Sequence, residues 1–238
     1  MSGGRLRAGD GAGTSVGRAA PAVVFLDLDG CLVDSTGPIT GSLVHALETL
    51  GVAAPRREEL VRFIGPPLAE ALTTLLTEAG EEATDARVAA GVDAYRARYV
   101  EVALTQTTVV PGVPAALAAL VEVTRLVLVT SKPGRFAAPI VTELGLDRWL
   151  EAVVAPSLDH RAEPKALTLS RALTTVAAGV DPATTVMVGD RSHDVLAGQA
   201  CGTRTVGVTW GAGSRAELQA AGADRIVDSP AELVAALT

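Results

Sequence analysis

Short runs of apolar residues recur along the chain, and segments with helical periodicity lie between them. Six runs predict buried strands, because they are rich in β-branched side chains and are bounded by glycine, proline or polar residues. They cover residues 22–27, 125–130, 151–155, 184–189, 204–208 and 225–227. The helical patterns between and after them cover residues 113–121, 134–144, 165–177, 195–201, 215–221 and 231–237. Strands that are apolar on both faces and alternate with helices indicate an α/β fold with a doubly wound, mostly parallel, Rossmann-like sheet.

The alternation is interrupted once, between residues 38 and 106, where no strand pattern occurs. This stretch has helical patterns at residues 39–50, 58–63, 68–79 and 85–102. They predict an all-helical inserted domain, residues 36–108, between the first two strands of a core formed by residues 21–35 and 109–238. Residues 1–20 are mostly Gly, Ala, Arg and Ser, and they predict a disordered tail.

Composition and charge exclude several classes of protein. Hydrophobic residues make up 48% of the chain and charged residues 20%, which excludes global disorder. The net charge of −7 argues against a nucleic-acid partner. No apolar stretch predicts a signal peptide or a membrane span. Two cysteines without a secretory signal predict a reducing, cytoplasmic setting.

Lysine is rare in this chain. All but two of its 20 basic residues are arginine, and the exceptions are Lys132 and Lys165. Arginine and lysine are not interchangeable where a compact point charge must fit, so these two positions are candidates for such a charge. Chance is the alternative explanation.

Two acids follow the first predicted strand, in the sequence Asp27-Leu28-Asp29-Gly30. Ligands in open α/β sheets bind beyond the carboxyl ends of the strands, so these carboxylates are placed to converge on one site. One can act as a nucleophile or metal ligand and the other as a general acid. A solvated Asp-Gly turn is the alternative.

Two more acids, Asp190 and Asp194, follow the strand predicted at residues 184–189. Together with Asp27 and Asp29 they predict an acidic pocket, which would repel a phosphorylated substrate unless a cation were bound. Mg²⁺ prefers a few carboxylates plus water and substrate oxygens, so it is the natural occupant. The alternative for Asp190 is capping of the next helix.

Two further positions suit phosphate. Thr130 and Ser131 follow the strand predicted at residues 125–130, where a hydroxyl and free backbone N–H groups before a helix can bind phosphate oxygens. Lys165 opens a later predicted helix. An ordinary helix start and a surface lysine are the alternatives.

Taken in order, these four motifs resemble those of the haloacid dehalogenase superfamily of phosphohydrolases. The helical insertion resembles the C1 cap of that superfamily. The strings Phe-Ile-Gly-Pro-Pro-Leu, residues 63–68, and Thr-Ser-Lys-Pro, residues 130–133, are similar to its phosphoglycolate phosphatase and 5′-nucleotidase branch.

The resemblance implies a role for each motif residue. Asp27 would attack phosphorus and form an aspartyl-phosphate, and Asp29 would protonate the leaving oxygen and then activate water. Thr130 would hold a phosphoryl oxygen, and Lys165 would neutralise charge on the nucleophile and the phosphoryl group. Asp29 also favours a phosphate ester over a halo-acid, because true dehalogenases lack an acid there.

The resemblance also implies a Mg²⁺ site and a substrate site. Asp190 would bind the metal together with the Asp27 carboxylate and the Asp29 carbonyl, and Asp194 would support it from outside. The substrate site is expected to include Gly30, Gly65 and Ser131. Gly65 is a candidate because it begins a stiff Gly-Pro-Pro turn between two predicted helices of the cap, where its backbone can approach a ligand closely. A turn that only links helices on the outer surface is the alternative.

The expected function is that of a Mg²⁺-dependent phosphatase for a small phosphorylated metabolite, either phosphoglycolate or a nucleoside monophosphate. One alternative is a β-phosphoglucomutase-like phosphotransferase. Another is a catalytically silent binding protein on the same scaffold, although no motif acid is missing. A monomer or a homodimer is expected.

Overall fold

The computed structural model describes residues 20–157 and 163–238. Its main sheet has six parallel strands in the order β5-β4-β1-β6-β7-β8. These are β1 (Val23–Leu26), β4 (Arg125–Val129), β5 (Ala152–Val154), β6 (Val186–Gly189), β7 (Arg204–Val208) and β8 (Arg225–Val227). All six predicted strands are present, and the α/β, doubly wound class is confirmed. The tail predicted at residues 1–20 lies outside the described residues except for Ala20.

Helices flank the sheet on both faces. They are α5 (Val113–Leu120), α6 (Gly134–Glu143), α7 (Lys165–Thr175), α8 (Ser192–Ala200), α9 (Arg215–Ala220) and α10 (Pro230–Leu237). Most bounds agree with the sequence pattern, but α8 begins at Ser192 rather than at residue 195. The reason is local: the Asp194 carboxylate accepts a hydrogen bond from the Arg191 backbone N–H at 3.0 Å, which closes a helical turn upstream of the apolar residues.

The direction of the chain across the sheet changes at β1. From β1 the chain moves outward through β4 to β5, and it then returns to the other side of β1 to form β6, β7 and β8. The carboxyl ends of β1, β4 and β6 therefore meet at the topological switch point, where open α/β sheets bind their ligands.

The two faces of β1 pack into different hydrophobic clusters. Val24 and Leu26 lie with α5, α6 and α10, whereas Val23 and Phe25 lie with α7 and α8. All four side chains are fully buried. Burial on both faces is the physical reason that this strand is a continuous apolar run instead of an alternating one.

Four α-helices lie between residues 36 and 106, before α5, and we call them the inserted helices. They are α1 (Thr36–Thr49), α2 (Arg57–Leu60), α3 (Leu68–Glu78) and α4 (Asp85–Gln106). A 3₁₀ turn, Val61–Phe63, follows α2. The inserted helices bury a second cluster, which Ile140 of α6 joins from the core. Its members in the inserted helices include Leu43, Leu47, Leu72, Leu76 and Tyr99. In the described part of the chain, no helix is long and apolar enough to cross a membrane.

The sequence pattern missed two of the strands that the structure describes. Two short strands, β2 (Val33–Asp34) and β3 (Thr108–Val109), pair antiparallel where the chain enters and leaves the inserted helices. We call this pair the ribbon. Two-residue strands carry too little periodicity to be recognised in a sequence, because their pairing depends on residues that are distant along the chain.

Candidate active site

Three strand ends of the sheet bring the predicted site residues together. Asp27 follows β1, Thr130 follows β4 and Asp190 follows β6, and these three strands are neighbours. The Asp27 backbone N–H donates to the Val188 carbonyl at 3.0 Å, which ties the end of β1 to β6. The predicted convergence of these residues at the carboxyl edge is therefore observed.

A cluster of three buried acids occupies this edge. Each of Asp27, Asp190 and Asp194 offers a carboxylate oxygen within 4.8 Å of the other two. Asp190 Oδ2 accepts hydrogen bonds from the Ala212 and Gly213 backbone N–H groups, at 2.7 and 3.3 Å. Its other oxygen, Oδ1, is buried and has no hydrogen-bond partner among the described residues.

The electrostatics of this cluster favour a bound cation. Burial, with the nearby negative charge of Asp194 and Asp27, raises the pKa of Asp190 to about 8. Burial also raises the pKa of Asp27 to about 6, even though Lys165 opposes the shift. Buried carboxylates that resist ionisation and include an unpartnered oxygen fit a hard divalent cation such as Mg²⁺.

Glycines surround the Asp190 carboxylate closely. A Cβ at Gly30 or Gly211 would overlap the Asp190 carboxylate, and Gly30 also has φ of +81°. Gly30 was expected in the substrate site, but it does not line the cavity described below. Its position against Asp190 explains why glycine is required there, and a contact with substrate remains a prediction.

Lys165 lies between two members of the acid cluster. Its Nζ is 2.7 Å from Asp27 Oδ1 and also pairs with Asp194 Oδ1. Burial alone would lower the pKa of Lys165, but Asp194 and Asp27 raise it, so the side chain remains an ammonium. The surface alternative for Lys165 is wrong, since its side chain is only 5% exposed.

The second acid of the first motif has different partners. Asp29 Oδ1 accepts a hydrogen bond from Ser35 Oγ at 2.5 Å and forms an ion pair with Lys132 Nζ at 2.9 Å. The sequence singled out Lys132 for its rarity but gave it no role in the site. The rarity of lysine, which pointed to Lys165, could also have placed Lys132 in the site.

The chain after β4 lines the site as expected. Thr130 is buried, and its Oγ1 accepts a hydrogen bond from the Lys132 backbone N–H at 3.1 Å. Ser131 lines the same cavity. Phosphate binding by Thr130 and Ser131 remains a prediction. Metal binding by the Asp29 carbonyl also remains a prediction.

A cavity of about 150 Å³ lies between this edge of the sheet and the inserted helices. Its floor contains Asp27, Asp29 and Asp194, together with both lysines. Its roof contains the Gly65 turn and apolar or aromatic side chains, namely Ile39, Leu43, Phe63, Ile64, Pro66, Pro67, Leu68, Tyr95 and Tyr99. The structure therefore brings Gly65 to the cavity that contains Asp27.

Arg191 joins the floor to the roof, and sequence reasoning missed it. Its guanidinium donates to the carbonyls of Ile64 and, at 3.4 Å, of Arg62, which lie just before the Gly65 turn. Glu217 accepts from Arg191 Nε at 3.0 Å and fixes the other side of the guanidinium. No local sequence pattern predicts this contact, because Arg191 and Ile64 are 127 positions apart.

Comparisons with known proteins agree with this geometry. The sequence profile of the haloacid dehalogenase-like hydrolases matches residues 23–208. A 5′-nucleotidase of Pseudomonas aeruginosa is 36% identical over 198 residues, which cover 83% of this chain and 86% of that protein. A phosphoglycolate phosphatase of Chromobacterium violaceum is 32% identical, covering 88% and 93%.

Two further matches complete the comparison. The tyrosine-protein kinase PtkA of Mycobacterium tuberculosis is 35% identical, covering 82% of this chain and 64% of that protein. The crystal structure of a predicted phosphatase from Clostridium acetobutylicum superimposes with a TM-score of 0.82 at 30% identity, covering 92% and 98%.

The fold, the acid cluster at the switch point and these matches define the class of the protein: it is a phosphoric monoester hydrolase. The chain belongs to the haloacid dehalogenase-like hydrolase family. The resemblance noted in the sequence, including its phosphoglycolate phosphatase and 5′-nucleotidase branch, is confirmed.

The charge on Asp190 leads to a stability prediction. Its pKa of about 8 in the folded protein exceeds the ordinary 3.8, so the metal-free protein should lose stability as pH rises between these values. Asp190→Asn removes the charge and keeps an oxygen for Ala212 and Gly213. At about pH 9, metal-free Asp190→Asn should melt above the metal-free wild type.

The same melting experiment includes a Mg²⁺ arm. Mg²⁺ should raise the Tm of the wild type, since a ligand that binds only the folded state stabilises it, and should leave Asp190→Asn unchanged. Equal Mg²⁺ shifts for both proteins would show that Asp190 is not a metal ligand.

The Gly65 turn leads to a prediction about substrate binding. Gly65 has φ of +104°, and an added Cβ would lie 3.3 Å from Arg191 Cγ. Gly80, in the turn after α3, also has positive φ, +76°, but nothing lies within 4 Å of an added Cβ. Alanine should cost each position a similar backbone strain of about 1–2 kcal/mol.

Gly65→Ala should therefore raise KM for p-nitrophenyl phosphate several-fold, whereas Gly80→Ala should change only the Tm. Steady-state kinetics and thermal melts of the two variants check this. A KM that rises equally in both would mean that the Gly65 turn has no specific part in binding.

Proposed function

We propose that this protein is a Mg²⁺-dependent phosphatase of a small phosphorylated metabolite and that it acts through an aspartyl-phosphate on Asp27. The observation that supports this most directly is the position of Lys165, whose buried ammonium bridges Asp27 and Asp194 beside the unpartnered Asp190 oxygen. Phosphoryl transfer needs such positioning and charge neutralisation more than covalent chemistry by the protein.

In the first step, an Asp27 carboxylate oxygen attacks phosphorus, and the bond between phosphorus and the leaving oxygen breaks. Asp29 donates its proton to that leaving oxygen, which departs as an alcohol. Lys165 and the Thr130 hydroxyl hold the phosphoryl oxygens. In the second step, water attacks the aspartyl-phosphate, Asp29 accepts the proton of the water, and phosphate leaves with the Asp27 carboxylate restored.

The chain offers a consistent set of metal ligands. Asp27, Asp190 and the Asp29 carbonyl would hold Mg²⁺, and Asp194 would support the site while it pairs with Lys165. When bound, the metal supplies positive charge to the phosphoryl oxygens and relieves repulsion among the buried acids.

We propose that the inserted helices, within the predicted boundaries 36–108, form a cap over the Asp27 site. The cavity beneath them measures about 150 Å³. A cavity of about this size accommodates benzene in another protein, so a two- or three-carbon ester fits this cavity. A nucleoside monophosphate is larger and would need a more open cap. Size therefore favours the phosphoglycolate class.

Phosphotransfer to an acceptor other than water is the second candidate function. It is supported by the relative named as a tyrosine-protein kinase, which shows that similar chains bear names from more than one class of phosphoryl chemistry. The two candidates differ in the fate of the phosphoryl group: a phosphatase releases inorganic phosphate, whereas a mutase or kinase retains it on a product.

A panel assay distinguishes these functions. Free phosphate should be released from phosphoglycolate, and less efficiently from a nucleoside monophosphate, in the presence of Mg²⁺. A chelator should abolish turnover, and added Mg²⁺ should restore it. Conversion of β-glucose 1-phosphate to its 6-phosphate without phosphate release would favour phosphotransfer instead.

The nucleophile is tested by Asp27→Asn. The amide keeps the shape of the side chain but is a poor nucleophile, so phosphate release should fall by more than roughly 10³-fold with the fold intact. Circular dichroism checks the fold. Turnover close to that of the wild type would contradict the role of Asp27.

Lys165 is tested by a pair of variants. Lys165→Met removes the positive charge between Asp27 and Asp194 and should lower kcat by roughly 10²–10³-fold. Lys165→Arg keeps the charge but replaces a compact ammonium with a planar fork, so it should rescue poorly. A Lys165→Arg enzyme as fast as the wild type would show that charge alone suffices here.

A further inference from the structure

Lys132 occupies the point where the cap meets the second acid of the site. Its side chain is 7% exposed, and its Nζ lies 2.9 Å from Asp29 Oδ1. The same ammonium donates a hydrogen bond to the Tyr99 hydroxyl of α4 and lies 4.6 Å above the centre of that ring. One cation therefore connects an acid of the core to a side chain of the inserted helices.

Aromatic packing holds the Tyr99 ring in place. Tyr99 is 2% exposed, and its ring stacks on the Tyr95 ring, with centroids 5.5 Å apart and planes inclined by 9°. Phe136 of α6 meets the ring edge-on, at 5.6 Å and 90°. Such packing restricts the ring, so the position of the hydroxyl is set by the way α4 lies on the core.

Among the described residues, the donors to Asp29 contact only one of its two carboxylate oxygens. Both Ser35 Oγ and Lys132 Nζ contact Oδ1. With Oδ1 occupied by two donors, Oδ2 is the oxygen left to exchange a proton with the leaving group and with water. A carboxyl anchored at one oxygen also has a defined orientation for the other, which proton transfer requires.

The two lysines of the chain thus divide between the two acids of the first motif. Lys165 contacts Asp27, and Lys132 contacts Asp29. We propose that Lys132 is a positioning residue for proton transfer: it fixes Asp29 so that Oδ2 faces the leaving oxygen, and it does so when Tyr99 of the cap is docked. This inference rests on the proposed function, since it assigns a role within the same reaction.

The proposal predicts how the effect of losing Lys132 depends on the basicity of the leaving group. An alcohol or phenol of high basicity must be protonated as it departs, whereas a weakly basic leaving group departs without that help. Loss of Asp29 positioning should therefore slow esters with basic leaving groups far more than activated esters. Phenyl phosphate and p-nitrophenyl phosphate suit the comparison, because they share a shape and differ mainly in the basicity of the phenolate.

The experiment measures kcat and KM of the full chain with saturating Mg²⁺ on both esters. Lys132→Met should lower kcat for phenyl phosphate by roughly 10²-fold, the lower end of what positioned acid–base groups contribute. It should lower kcat for p-nitrophenyl phosphate much less. Tyr99→Phe keeps the ring and removes the hydroxyl, so it should shift the ratio of the two rates in the same direction by a smaller factor.

Arg135→Met is the matched control. Arg135 is the second residue of α6, three positions after Lys132, is exposed, and lies 5.4 Å from the centre of the Phe136 ring. Its removal also deletes a cation next to an aromatic ring, but no contact joins Arg135 to Asp29 among the described residues. The ratio of the two rates should match that of the wild type, and melts of all variants report any loss of fold.

Three results would overturn the proposal. Equal slowing of both esters by Lys132→Met would place Lys132 on the transferred phosphoryl group, and a rise in KM alone would make it a substrate-binding residue. An unchanged ratio in folded Tyr99→Phe would remove the link to the cap. A wild-type enzyme that releases phosphate from neither ester, nor from phosphoglycolate, would instead contradict the proposed function itself.

Discussion

Repulsion among buried carboxylates is the constraint around which this site is built. Asp27, Asp190 and Asp194 lie within 4.8 Å of one another, with Lys165 the ammonium that pairs with two of them. Such a cluster survives in the folded protein because the ends of β1 and β6 and the first turn of α8 fix it, and because backbone N–H groups support Asp190. The negative charge that remains favours a bound cation.

Much of this arrangement follows from the sequence. The β1 run and the position of Asp27 after it depend on local periodicity and on the rule that parallel strands present their ends at one edge. Contacts between segments that are distant along the chain could not be predicted from the sequence. Lys132 and Tyr99 are 33 positions apart, and Arg191 and Ile64 are 127 apart. No periodicity encodes such pairs, because they arise only when the inserted helices lie on the sheet.

The missed contacts share one property: they join the core to the inserted helices. Arg191 extends from the loop after Asp190 to the Gly65 turn, and Lys132 extends from the loop after β4 to Tyr99. Each of these cations follows closely on a residue proposed to act on phosphate or metal. The loops that carry the proposed chemistry therefore also contact the roof of the cavity.

The ribbon gives this arrangement a mechanical consequence. A single linker allows free rotation, but two crossings paired as antiparallel strands form a strip that restricts rotation of the inserted helices relative to the core. The strip is rooted in the site, because Asp29 bridges to Val33 and the Gly30 N–H donates to the Val33 carbonyl at 2.8 Å. Any tilt of the inserted helices relative to the core would therefore pivot at the ribbon, where Val33 lies four residues after Asp29.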